Sequence, residues 1–173
     1  HRARGQHTIR AHDAIAAAWQ AAMGSPRPAR VALLVWGDPS LYDSTLRIAS
    51  RLMPMPELRV IPGITSLQAL TAAHAIPLNT IGGPVTITTG RQLRDHGWPA
   101  GAETLAVMLD AGGAFTALDP TGVTIWWGAY VGMAEEIVIA GPLAEVSEQI
   151  LATRAEARAR HGWIMDIYIL RRG

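Results

Sequence analysis

Arg30-Val31-Ala32-Leu33-Leu34-Val35-Trp36-Gly37-Asp38-Pro39-Ser40-Leu41-Tyr42 decides the fold class. An apolar run of this length that stops at Gly-Asp-Pro suits a strand buried on both faces of a parallel sheet, with a loop at its carboxyl end. Upstream, Ile9, Ala14 or Ile15, Ala18, Trp19 and Ala22 keep close to helical spacing and end at Gly24-Ser25-Pro26, so a helix is expected over 9–23. Downstream, a helix over 44–53 leads through Pro54 and Pro56 to a short strand, Leu58-Arg59-Val60-Ile61, and then to a helix over 64–75. Strand and helix alternate, which argues an α/β class with parallel crossovers.

The second half changes character. Residues 84–89 alternate at period two, and further strands are expected over 103–110, 123–129, 137–140 and 163–170. Pro142 opens a helix that runs to about Arg160, proline being suited to a first helical turn. The expected organisation is an N-terminal α/β lobe, 1–82, mostly parallel sheet and incomplete at its start, and a C-terminal lobe, 83–173, with a mixed sheet and helices. The boundary falls near Thr80-Ile81-Gly82-Gly83.

Composition narrows the function classes. With 173 residues, about half of them hydrophobic, the chain can bury a core. The 15 basic residues, all arginine, against 14 acidic ones give a formal charge of +1, which implies no nucleic-acid partner. There is no cysteine, so disulfides and thiolate chemistry are excluded. The six histidines lack paired spacing, and no metal site is expected. No apolar run reaches the roughly eighteen residues that span a bilayer, so no membrane partner is expected and cytoplasm is the default location.

Two strand-end loops carry the candidate chemistry, because ligands of open α/β sheets sit beyond the carboxyl ends of strands. In the first, Gly37 permits positive φ or close backbone approach, Pro39 stiffens the turn, and Asp38 offers a carboxylate to backbone amides or to a ligand. Taken alone, Gly-Asp-Pro reads as a tight turn with an Asx bond. In the second, Pro62-Gly63-Ile64-Thr65-Ser66, a hydroxyl can cap a helix and leave other amides facing a ligand. Together the two loops can form adjoining walls of one crevice. Trp126-Trp127 alternates across a strand, which sends one ring to the core and the other outward. Absence of a GxGxxG argues against a dinucleotide enzyme.

A strand ending in Gly-Asp-Pro with an aromatic just after it, and a Pro-Gly-Ile-Thr-Ser segment about twenty residues on, resembles the tetrapyrrole (corrin/porphyrin) methylase superfamily. Glu103 to Leu109 and Ile139 to Val146 resemble later segments of that family. The resemblance implies a two-lobed fold that binds S-adenosylmethionine, with S-adenosylhomocysteine as product, and a tetrapyrrole as the second substrate. It implies cofactor contacts at Trp36, Gly37, Asp38, Leu41, Thr65, Ser66, Leu109, Trp126 and Pro142. Arg47, Arg91 and Arg94 follow strand-end loops and could grip the carboxylates of a tetrapyrrole bidentately, against a solvated-surface alternative.

Three further segments, Val35 to Ile48, Met108 to Phe115 and Gly162 to Arg172, sharpen the resemblance to a particular reaction: methylation of precorrin-5 to precorrin-6A with release of acetate. Loss of acetate calls for an activated water, with Asp38, Tyr42 and Asp43 as catalytic candidates. The family's opening strand and glycine- and proline-rich loop have no counterpart here, so the chain is expected to be a fragment holding one side of the pocket. Family members imply a homodimer. The rivals are another corrin-precursor methyltransferase of the same fold and a catalytically inert binding or dimerisation domain.

Overall fold

The computed structural model describes residues 2–173, with side chains from Arg10 onward. The chain forms two compact units, 1–65 and 66–173. This division falls ahead of the 82/83 boundary expected from sequence, because the helix at Ser66–Ala73 packs on strands of the second unit.

The first unit contains α1 (Arg2–Met23) and α2 (Thr45–Ala49). Ala16 of α1 packs with Ile48 and Leu52, and Trp19 and Met23 close over them. Arg51 Nε lies 2.8 Å from Asp13 Oδ1, and Gln20 Nε2 donates to the Met53 carbonyl at 3.0 Å. Both are exposed, so each adds only a little.

The expected strands at Arg30–Trp36 and Leu58–Ile61 are corrected by the structure. Neither segment joins a ladder among the described residues. Leu34 is 99% exposed, and Val31, Leu33, Val60 and Ile61 are also exposed, so the run is not buried on two faces. The apolar pattern encodes a strand's need for burial, but the partner strand is a non-local matter. The helix expected over 44–53 is likewise reduced to the five residues of α2, ending before Pro54.

The second unit follows the sequence closely. Its elements are α3 (Ser66–Ala73), β1 (Val85–Thr89), α4 (Gly90–His96), β2 (Thr104–Met108), a 3-10 turn (Ala114–Ala117), β3 (Val123–Ala129), β4 (Ile137–Pro142), α5 (Leu143–His161) and β5 (Asp166–Arg172). The strands form one sheet in the order β1-β2-β5-β3-β4. Only the β1–β2 pair, bridged by α4, is parallel; the remaining pairs are antiparallel.

Alternation along the strands sorts the layers. Leu105 and Val107 of β2, Tyr168 and Leu170 of β5, and Ile125 and Trp127 of β3 face α4 and α5, where Leu93, Leu143, Ile150 and Ala157 complete the main core. On the opposite face, α3 lays Leu70 on Gly128. A Cβ at Gly128 would meet Leu70 Cδ1 at 2.7 Å and Val131 Cγ1 at 2.6 Å.

That contact is specific enough to test. Gly128→Ala overpacks the seat of α3 and should lower unfolding stability by about 1–3 kcal/mol. In a Leu70→Ala background the same change should be milder, because the truncated side chain leaves room. Urea unfolding of the four proteins checks this, and equal effects in both backgrounds would contradict the packing account.

Candidate functional site

In the first unit the loop 36–42 and the turn 62–65 lie side by side. Gly37 adopts φ +79°, a left-handed conformation that suits glycine. Gly63 is equally constrained, since a Cβ there would lie 2.1 Å from the Gly37 carbonyl oxygen. The Asp38 carboxylate joins the two loops. Its Oδ1 accepts from the Ser40 amide at 2.9 Å and from the Ser40 hydroxyl, and its Oδ2 accepts from the Gly63 amide at 2.9 Å. The Leu41 amide closes the turn on the Asp38 carbonyl at 3.2 Å. The two strand-end loops singled out in the sequence therefore do adjoin.

These bonds hold the Asp38 carboxyl below its ordinary value, the Ser40 hydroxyl contributing most and the Gly63 and Ser40 amides following. A carboxylate so satisfied is an anchor and a poor proton acceptor. Asp43 is similarly engaged: its Oδ1 accepts from the Thr45 amide at 2.6 Å at the start of α2, and its carbonyl accepts from Arg47 Nη1 at 2.9 Å. Tyr42 is exposed, with φ +51°. Trp36 is 72% exposed.

In the second unit, Leu109 follows β2 with its side chain 65% exposed and its backbone at φ +52°. A left-handed leucine costs roughly 1–2 kcal/mol. Trp127 is fully buried and donates from Nε1 to Asp166 at 3.0 Å, whereas Trp126 is half-buried with the Arg171 guanidinium 5.0 Å from its ring centroid. The pair thus divides between core and outer face as its alternation predicts. Pro142 is exposed where β4 meets α5, and its register partner is Thr124, two residues along β3 from Trp126 on the same face. Ser66 opens α3.

The three arginines have different settings. Arg47 bonds the Asp43 carbonyl and Arg91 is exposed on α4, while Arg94 Nη1 reaches to 4.0 Å from Asp110 Oδ1. A cavity of about 1040 Å³ lies elsewhere in the first unit, lined by residues that include Trp19, Met23, Arg30, Leu33, Leu52 and Leu58. None of the candidate residues lines it. Among the described residues, no group of three His, Asp or Glu side chains is placed to hold a metal ion, and no helix is long and apolar enough to cross a membrane.

A buried polar network was missed by sequence reasoning. Asp110, 5% exposed, accepts from the Tyr168 hydroxyl at 2.7 Å and from the amides of Gly112 and Ala114. Arg154 Nε bonds Asp166 at 2.8 Å, and its Nη2 donates to the Asp110 carbonyl at 2.8 Å. The Asp166 carboxylate raises the Arg154 pKa, and burial, followed by the Asp110 charge, pushes the Tyr168 hydroxyl well up. An acidic residue within Met108-Leu109-Asp110-Ala111-Gly112-Gly113 was the available signal.

The fold is that of an α/β protein of a known class. Residues 2–147 match the family model of the Tetrapyrrole (Corrin/Porphyrin) Methylases, and the chain belongs to that family. Within it, the chain is 56% identical over 146 residues to precorrin-6A synthase [deacetylating] from Sinorhizobium sp, an alignment covering 82% of this chain. The chain spans 56% of the length of that curated relative. The crystal structure of a cobalamin synthesis related protein, CobF, from Corynebacterium diphtheriae superposes with a TM-score of 0.85 and 38% identity, over 96% of this chain and 73% of that one. Uroporphyrin-III C-methyl transferase from Thermus thermophilus, solved with S-adenyl homocysteine, shares the fold at a TM-score of 0.52 and 20% identity, over 78% of this chain and 62% of that one.

The Asp38 latch has a defined pH dependence. A carboxyl lowered from 3.8 in the folded state contributes stability that is fully present above 3.8 and lost as pH falls through the lowered value. The Gly63 amide resonance should therefore hold its position down to the ordinary carboxylate range and move only below it. A midpoint at or above 3.8 in an NMR titration would contradict the latch.

Proposed function

We propose that this chain is part of an S-adenosylmethionine-dependent C-methyltransferase of corrin-ring biosynthesis that converts precorrin-5 to precorrin-6A with release of acetate. The observation that carries the reading is the 56% identity to a precorrin-6A synthase. The Gly37–Asp38 and Gly63–Thr65 loops, one of its most constrained features, support it. In this reading the residues proposed to contact the cofactor are Trp36, Gly37, Asp38, Leu41, Thr65, Ser66, Leu109, Trp126 and Pro142. The cofactor, a sulfonium, supplies a methyl group with a good leaving group. The chain's own part is orientation, which can account for a large share of rate enhancement without a catalytic triad.

Backbone carries most of that orientation. Gly37 and Gly63 let two main chains approach closely, and Asp38 fixes their separation by its bond to the Gly63 amide. For the water that takes the acetyl group, Asp38 and Asp43 already hold backbone amides, which leaves Tyr42 as the exposed candidate. Arg47, Arg91 and Arg94 are proposed to meet substrate carboxylates. The reading includes a cytoplasmic homodimer. A second reading, a binding or dimerisation domain without turnover, is favoured by segments 30–36 and 58–61, which join no ladder among the described residues and leave Leu34 and Ile61 exposed.

Titration with S-adenosylhomocysteine and product mass separate these. Binding, with a product that has gained one methyl and lost one acetyl group, is the expected result; methyl gain alone indicates another corrin precursor, and binding without product indicates the inert domain. Gly63→Ala should weaken S-adenosylhomocysteine by about tenfold or more by pushing the two loops apart. Unchanged affinity in that variant would remove these loops from the cofactor site.

A further inference from the structure

We propose that Asp110 and Tyr168 are positioning residues that present Leu109 to the ligand by locking the turn after β2 from beneath. The proposal rests on the reading of Leu109 as a cofactor contact and goes beyond it by naming what sets that contact. Neighbouring residues here face opposite media: Leu109 is 65% exposed, and Asp110 is 5% exposed. Leu109 holds φ +52°, a conformation that crowds its Cβ against the following carbonyl and that glycine or asparagine would adopt more readily. A disfavoured backbone persists only where its surroundings over-determine it, and such positions cluster at functional sites.

The surroundings do over-determine it. Asp110 Oδ1 accepts from the Gly112 amide at 3.0 Å, and its Oδ2 accepts from the Ala114 amide and from the Tyr168 hydroxyl at 2.7 Å. Gly90 makes room for the carboxylate, since a Cβ there would lie 2.3 Å from it. From α5, Arg154 donates to the carbonyls of Asp110 at 2.8 Å and Ala111 at 3.3 Å while its fork is held by Asp166. Tyr168 is itself fixed in the core, edge-on to Phe115 with ring centroids 5.3 Å apart. The turn is therefore tied through its main chain on the inner side, and the leucine side chain is presented on the outer side.

Affinity for S-adenosylhomocysteine, measured by calorimetric titration of the full chain, tests this through a matched pair of variants. Tyr168→Phe removes the hydroxyl that bonds Asp110. Tyr130→Phe removes another buried hydroxyl, the one that bonds the Trp163 carbonyl at 2.6 Å, away from the turn. Tyr168→Phe and Leu109→Ala should each weaken binding about tenfold, and their combination should be no more than about threefold weaker than the worse single variant, because both act through one contact. Tyr130→Phe should stay within about twofold of wild type at comparable loss of thermal stability.

Equal weakening by both Tyr variants, full additivity of Tyr168→Phe with Leu109→Ala, or unchanged affinity in Tyr168→Phe would each overturn the proposal while leaving the cofactor reading intact. A wild-type chain that takes up no S-adenosylhomocysteine would overturn both.

Discussion

The second unit depends on where its last strand goes. β5 ends one residue before the chain does, yet it lies between β2 and β3, and its Tyr168, Ile169 and Leu170 are almost completely buried. Without it the sheet would separate into a β1–β2 pair and a β3–β4 hairpin, neither wide enough to cover a core. The same strand carries polar groups that tie it to its neighbours: Asp166 accepts from Trp127 and Arg154, and the Tyr168 hydroxyl donates to Asp110. One segment thus supplies both the hydrophobic closure and the hydrogen bonds that fix the turn after β2.

Buried carboxylates organise this unit, and a partly exposed one does comparable work in the first. Asp110 and Asp38 each accept from two backbone amides and one hydroxyl. Hydrogen bonds to a carboxylate contribute roughly 1.5–3 kcal/mol each when shielded from water, enough to offset one left-handed residue. Asp110 has that shielding and can hold Leu109. Asp38 is open to solvent, so its loop relies more on Gly37, for which positive φ carries little penalty, and on the close fit of Gly63.

The two units differ in how far local signals are fulfilled. In the second, each strand found its neighbours, and the strands expected over 84–89 and 123–129 join ladders. In the first, Arg30–Trp36 and Leu58–Ile61 have strand-like composition but no ladder among the described residues, and most of their apolar side chains remain exposed. A strand cannot satisfy its own backbone, whereas a helix can, which is why α1 forms while these segments join no ladder among the described residues.

By itself the sequence determined the α/β class, the long helices, four of the five strands nearly to the residue, and the two loops built on Gly37–Asp38 and Gly63–Thr65. These follow from short-range rules: apolar period, proline and glycine at element ends, and a carboxylate beside a turn. Only the tertiary structure decided the strand order, the division at Thr65–Ser66, the seating of α3 on Gly128, and the hydroxyl and guanidinium that converge on the turn after β2. Tyr168 is 58 residues from Asp110 and Arg154 is 44, so no local pattern joins them. Their meeting is fixed by the register of β5 against β2 and by the packing of α5 on the sheet.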